Sequence, residues 1–224
     1  KTDGVNLGGV RASNLTAVIP DYSKEKLLID ADIKGPGNAV GPYFDETPLK
    51  DSLGATLQEL QLDGDVNARL HLDIPLNGEL VTAKGEVTLR NNSLFIKPLD
   101  STLKNLSGKF SFINSDLQSE PLTASWFNQP LNVDFSTKEG AKAYQVAVNL
   151  NGNWQPAKTG VLPEAVNEAL SGSVAWDGKV GIDLPYHAGA TYNIELNGDL
   201  KNVSSHLPSP LAKPAGEPLA VNVK

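Results

Sequence analysis

Residues 60–76 read LQLDGDVNARLHLDIPL, and apolar or small residues occupy every second position of this stretch. Successive side chains of a β-strand point to opposite faces, so the pattern predicts a long strand with one apolar and one polar face. Exposing that apolar face to water would forfeit about 1.5–3 kcal/mol per large side chain, which together rivals the stability of a domain. A second sheet, a helix or an apolar ligand must therefore cover it. Its large members are Leu60, Leu62, Val66, Leu70, Leu72 and Ile74.

The same alternation recurs along the chain and indicates roughly a dozen strands. An apolar face that alternates with a polar one is typical of antiparallel sheets, because strands buried inside parallel sheets are apolar throughout. Pairs of Asn-Gly or Asp-Gly begin at Asn77, Asn151, Asp177 and Asn197 and predict tight turns between strands. The fold class predicted is therefore mainly β and antiparallel.

Two short stretches carry helical signals. The first begins at Thr47 as a capping residue with Pro48 behind it, and the second begins near Pro163 and stops at Gly172. Their apolar positions are Leu49, Leu53, Leu57 and Leu60 in the first, and Val166, Ala169 and Leu170 in the second. Two short helices cannot cover a dozen strands, so the apolar face must meet another sheet, curl on itself or meet a ligand.

Similar segments follow the two helical stretches and indicate an internal repeat. DGDVNARLHLDIPL leads to Pro75 and SGSVAWDGKVGIDLPY leads to Pro185. We predict one elongated segment, 1–224, built of units that cover approximately residues 1–46, 47–160 and 161–224.

The charge and residue types exclude several classes of function. A net charge of −7 without clusters of Lys and Arg argues against nucleic acid as a partner. The chain has no cysteine, and its histidines at 71, 187 and 206 lack ligand partners at metal-binding spacing. No nucleophile motif or paired carboxylate stands out, so we expect no enzyme activity, no cofactor and no metal.

Two recurrent features of the sequence have an ordinary and a functional interpretation. Asn-x-Ser/Thr triplets begin at Asn14, Asn91, Asn105 and Asn202 and are interpreted as chance occurrences rather than glycosylation sites. The tryptophans at 126, 154 and 176 either fill a core at strand ends or form a stacking platform for sugars, and the core is the favoured interpretation.

Over most of its length the chain resembles the AsmA-like proteins of Gram-negative bacteria. The stretches that carry the resemblance are VIPDYSKEKLLIDADIKGPG (18–37), ETPLKDSLGATLQELQLDGDVNARLHLDIPL (46–76), GEVTLRNNSLFIKPL (85–99), LTASWFNQPLNVDF (122–135) and GDLKNVSSHLPSPLAKPAGEPL (198–219). The amino-terminal membrane helix of that family is not in this sequence, so we expect an internal segment of a longer protein that is anchored in the inner membrane.

The resemblance implies a long antiparallel twisted sheet that curls into an open hydrophobic trough. Such a trough would conduct phospholipid between the inner and outer membranes across the periplasm, with phospholipid acyl chains as the expected partner and the question of membrane-resident partner proteins left open. Candidate groove residues are Leu62, Val66, Leu70, Leu72, Ile74, Val87, Leu89, Phe110, Phe112, Val133, Phe135, Val146, Val148, Ile182, Leu184, Ile194 and Leu196. The alternative is a closed β-sandwich that acts as a structural or adhesive module.

Overall fold

The computed structural model describes residues 4–7, 9–21, 25–39, 59–186 and 188–224. Strands account for most of these residues. They are β1 (Val5–Leu7), β2 (Val10–Val18), β3 (Lys26–Pro36), β4 (Leu60–Asp63), β5 (Asp65–Pro75), β6 (Thr82–Ile96), β7 (Ser101–Ile113), β8 (Asp116–Ser119), β9 (Leu122–Trp126), β10 (Gln129–Glu139), β11 (Ala143–Trp154), β12 (Leu170–Gly172), β13 (Val174–Pro185), β14 (Thr191–Asp199), β15 (Val203–Ser205) and β16 (Ala220–Val223).

One antiparallel sheet contains fourteen of these strands, in the order β1-β2-β3-β5-β6-β7-β8-β10-β11-β13-β14-β16, with β4 paired to β6 and β9 paired to β7 and β10. In the described part of the chain its edge strands β1 and β16 do not pair with each other, so the sheet is not a closed barrel. The predicted fold class, mainly β and antiparallel, is confirmed. The closed sandwich is wrong as an architecture, since one continuous sheet replaces two facing sheets.

The stretch at 60–76 forms two strands rather than one. Strands β4 and β5 both pair with β6, and Gly64 separates them with a φ of +95°. The side chain of Asn92, fully buried, donates to the carbonyls of Asp63 and Asp65 at 3.0 and 3.2 Å across this break. A side chain at position 64 would place its Cβ 2.8 Å from the Asn92 amide nitrogen, so the break depends on glycine.

The helical predictions have different outcomes. The stretch from Thr47 to Leu57 lies outside the described residues, and the prediction is wrong for Leu60, which lies in β4. The second helix exists as α1 (Glu164–Ala169), but it ends before the predicted stop because Leu170–Gly172 forms β12. Strand β12 pairs with β15 in a separate two-stranded sheet. Shorter turns of 3-10 helix lie at Gly37–Ala39, Lys97–Leu99 and Pro156–Lys158.

Three of the four Asn-Gly and Asp-Gly predictions are wrong. Asn151, Asp177 and Asn197 lie inside strands and face one another in register. Asn132 and Asn222 extend this row on either side, and side-chain hydrogen bonds join Asn132 to Asn151 at 3.1 Å and Asn197 to Asp177 at 2.8 Å. Only the pair at Asn77 lies in a turn. Cross-strand pairing therefore overrides a strong local turn signal at these positions.

Three of the Asn-x-Ser/Thr triplets coincide with β-bulges. Asn14, Asn91 and Asn105 have φ values of 51°, 55° and 55°, and the register shifts by one residue at each position. Asn tolerates this left-handed conformation better than most residues do. Because a bulge adds local twist, the triplets mark places where the sheet bends.

The sheet curls toward its apolar face, where large side chains lean over small neighbours. Phe110 of β7 and Phe135 of β10 are separated by the β8 residue Ser119, yet their ring centroids lie only 5.6 Å apart. Two strand spacings correspond to about 9.5 Å in a flat sheet, so the rings lean together over a small residue on the concave side. Gly85 serves the same purpose beneath Phe112, where an added Cβ would meet the ring at 2.8 Å. Large side chains next to glycine or serine let the sheet curl.

Candidate functional site

The concave face of the sheet is a continuous apolar surface that crosses every long strand. Its rows follow directly from the register, because residues paired across strands share a face. One row runs Ala12, Ile33, Ala68, Val87, Phe110. A second row runs Phe135, Val148, Val180, Ile194.

All of the predicted groove residues lie on this face. Leu62 faces it through its pairing with Leu94, and Leu184 through its pairing with Tyr144. The structure thus places on one face residues that are more than 130 positions apart in the chain, such as Leu62 and Leu196. Their proposed contact with lipid stays a prediction.

Burial divides the face into a closed part and an open part. In the central strands β6 to β11 the chain covers its own apolar residues, and Leu89, Leu122 and Leu131 are 4%, 1% and 3% exposed. These residues form a packed core. Toward the C-terminal edge the face opens, and Ile194 and Val223 are 43% and 52% exposed.

The open part contains residues that the candidate groove residues did not include. Tyr192, Leu219, Val221 and Val223 are all exposed by more than a third of their surface. Val221 and Val223 pair with Gly198 and Leu196, which extends the apolar rows onto β16. The apolar alternation around Leu219 is visible in the sequence. The exposure of these side chains could not be predicted from it, because exposure depends on which strands lie at the edge of the sheet.

Aromatic side chains gather at one rim of the concave face, where β9, β11 and β13 have an end. Trp126 stacks on Phe127 with a centroid distance of 4.7 Å, and Trp154 meets Trp176 edge-on at 4.7 Å. The Trp126 indole donates to Ser101 Oγ at 2.6 Å and the Trp154 indole to the carbonyl of Pro130 at 2.7 Å. The three tryptophans pack against the central core, which agrees with the core interpretation.

The opposite rim carries a buried polar cluster around Tyr144. The Tyr144 hydroxyl donates to the carbonyl of Ser115 at 2.6 Å and lies 2.8 Å from Thr137 Oγ1. Ser115 Oγ in turn donates to the carboxylate of Glu139. Burial raises the pKa of Tyr144 to about 12. The cluster ties the β7–β8 turn to β10 and β11, so it closes this rim.

The convex face is polar and charged. Ion pairs join neighbouring strands there, including Lys26–Asp73 at 3.1 Å and Lys109–Glu86 at 2.8 Å. His71 lies on this face and contacts Asp30 through Nδ1 at 2.7 Å. Among the described residues, no three His, Asp or Glu side chains are grouped so that they could hold a metal ion. His187 lies outside those residues.

The geometry of a curled antiparallel sheet with a one-sided apolar face agrees with the comparison with known families. The family model of the YhdP protein matches residues 1–224. The chain belongs to the YhdP family. Membership of this family indicates lipid transport as the class of function. No solved structure matches the chain. Within the part of this YhdP family member that the structure describes, no helix is long and apolar enough to cross a membrane.

Proposed function

We propose that the chain is a non-enzymatic segment of a phospholipid conduit across the periplasm of a Gram-negative bacterium. The observation that carries the proposal is the apolar face that continues from β2 to β16 and remains exposed on β14 and β16. An exposed apolar surface of this extent is typical of a site that binds a hydrophobic partner.

Acyl chains suit this face for an energetic reason. Each methylene that leaves water for an apolar surface contributes about 0.8 kcal/mol, so a hydrocarbon tail gains from any part of the face without a specific contact. The twelve strands of the main path stack at about 4.8 Å each, which gives the face a length of about 50 Å across the strands. Lipid would move along this direction, with its polar headgroup in water at the open side.

Such transport needs positioning and no bond chemistry. The face offers many similar aliphatic side chains, so a sliding tail tolerates the loss of any one of them, but not a charge placed among them. In the full-length protein, which we propose to be anchored in the inner membrane, this segment would continue the path toward the outer membrane. The central core between β6 and β11 then serves as the wall that holds the curvature.

The test uses two neighbouring residues that point to opposite faces. Ile194→Asp puts a carboxylate on the exposed apolar face, while Asn193→Asp puts the same group on the opposite face of the same strand. Both positions are exposed, so neither change disrupts a packed core. We expect phospholipid, extracted from the purified chain and quantified by mass spectrometry, to fall about tenfold in Ile194→Asp because the carboxylate must be desolvated to meet a tail. Equal lipid content in both variants, or no lipid in the wild-type chain, would contradict the proposal.

A further inference from the structure

A notch opens in the aromatic rim between β7 and the turn that joins β9 to β10. Lys104 pairs with Ser125, and the described sheet has no further pairs between β7 and β9 toward this rim. The notch has a volume of about 230 Å³ and is lined by Asp100, Ser101, Thr102, Lys104, Ser125, Trp126, Phe127 and Asn128.

The lining combines opposite charges with aromatic faces. Within the described residues, neither the Asp100 carboxylate nor the Lys104 ammonium has a side-chain partner, and both residues are exposed. Elsewhere in the described sheet, charged side chains such as Lys109 and Glu86 pair across strands. Two unpaired charges of opposite sign around one cavity are complementary to a small zwitterion.

Each group of the notch suits one part of such a ligand. An ammonium group binds to a carboxylate and to the face of an indole or phenyl ring, which Asp100, Trp126 and Phe127 supply. A phosphate binds to a lysine ammonium and to a hydroxyl donor, which Lys104 and Thr102 supply. Asn128 adds a side-chain amide to the lining, and Ser101 adds a further hydroxyl.

Trp126 connects the notch to the apolar face. Its ring packs against the buried core and also lines the notch, and its indole N–H holds Ser101 at the boundary. A lipid whose tail lies on the concave face could therefore place its headgroup in the notch. We propose that the notch binds a phosphoethanolamine group, and that it selects phosphatidylethanolamine among the lipids on the apolar face; this selection rests on the proposed function.

The experiment measures headgroup preference separately from total lipid. The purified chain is incubated with vesicles that contain equal amounts of phosphatidylethanolamine and phosphatidylglycerol, re-isolated, and its lipids are quantified by mass spectrometry. We expect phosphatidylethanolamine to be enriched on the wild-type chain and the enrichment to fall about twofold to fivefold in Asp100→Asn, the range that one exposed ion pair provides. Total lipid should stay unchanged.

Asp63→Asn is the matched control, because Asp63 is an exposed carboxylate outside the notch and the change in net charge is the same. A wild-type ratio equal to that of the vesicles, or an equal ratio in Asp100→Asn and Asp63→Asn, would overturn the selection of lipid.

A second arm uses soluble glycerophosphoethanolamine and follows the Trp126 indole N–H resonance by NMR. We expect this resonance to shift in the wild-type chain and in Asp63→Asn, and not in Asp100→Asn. A shift without bound lipid would contradict the proposed function and leave the notch as a site for a soluble zwitterion. The absence of a shift in the wild-type chain would overturn the phosphoethanolamine site itself.

Discussion

Tyr144 shows how one buried hydroxyl fixes the rim of the sheet. Its ring lies under Leu117, Ile182 and Leu184, and its hydroxyl reaches the carbonyl of Ser115 at 2.6 Å. A tyrosine that ionised here would lose this donated hydrogen bond and place a charge at a site buried from water. Burial therefore raises its pKa to about 12, above the ordinary value of a tyrosine, which is about 10.

The raised pKa makes stability depend on pH. Between pH 10 and 12 the unfolded chain releases the Tyr144 proton while the folded chain keeps it, so the contribution is fully present below pH 10 and is lost as pH rises toward 12. A shift of this size corresponds to about 2–3 kcal/mol of unfolding free energy. We expect urea unfolding from pH 8 to 11 to show a steeper loss for wild type than for Tyr144→Phe. Parallel pH profiles would contradict this account.

Gly85 illustrates a close approach between two strands. A Cβ at this position would lie 2.1 Å from the carbonyl oxygen of Arg69 and 2.8 Å from the Phe112 ring. The backbone oxygen cannot move without opening β5 from β6, so Gly85→Ala should lower the free energy of unfolding by about 1–3 kcal/mol.

Gly198 provides the control, because the nearest atom to an added Cβ there is 4.0 Å away. Gly198→Ala should be neutral or stabilise by up to about 1 kcal/mol through the unfolded chain. Chemical denaturation of both variants measures the difference, and equal effects would show that the curl does not depend on the glycine at position 85.

At the scale of the strands, the break between β4 and β5 is held by a single side chain. Asn92 satisfies the carbonyls of Asp63 and Asp65, and its own Oδ1 accepts from the N–H of Arg90 at 2.8 Å. Replacing it with alanine leaves these groups without their partner in a buried site. We expect Asn92→Ala to cost about 2–4 kcal/mol of unfolding free energy, since each unsatisfied buried group costs about 1–3 kcal/mol.

The neighbouring bulge residue gives a matched comparison. Asn91 adopts a φ of 55° and is exposed, so Asn91→Gly should change stability by less than about 0.5 kcal/mol. The same denaturation measurement applies to both variants. An Asn92→Ala variant as stable as Asn91→Gly would show that the break does not require the amide.

The strands also show what could be predicted from sequence. Period-2 alternation identified β5, β11 and β13 and placed their apolar residues on one face, because burial of that face is the largest energetic term involved. The Asn-Gly pairs at Asn151 and Asn197 led to wrong turn predictions. The local turn preference of these pairs is weaker than the stabilisation that comes from pairing with a strand distant in sequence. The asparagines with left-handed backbone conformation begin Asn-x-Ser/Thr triplets that are visible in the sequence. That they form β-bulges could not be predicted, because a bulge is defined by the register of the partner strand.

At the scale of the whole molecule, the sheet joins a self-covered centre to an open edge. Alternation alone could not predict which apolar residues belong to the covered centre and which to the open edge. Leu131 and Leu196 follow the same pattern, but they are 3% and 38% exposed because different amounts of the chain lie over them. The notch was also beyond sequence reasoning, since Asp100 and Lys104 meet Trp126 only through the pairing of β7 with β9. The boundary between wall and conduit is therefore a property of the assembled sheet.

Hydrogen exchange can locate this boundary. Among the described residues, strand β16 pairs only with β14, so its amides should exchange before those of β7 or β10, which lie between partners. Phospholipid bound to the open part should slow exchange in β14 and β16 by about tenfold when its concentration is ten times its Kd, because opening there requires release of the ligand. In β6, where Val87 and Leu89 are already covered, local exchange should not change. The Ile194→Asp variant should lose the added protection and Asn193→Asp should keep it. Protection that appears in β6 and not in β14 would place the lipid against the central strands and reverse the assignment of wall and conduit.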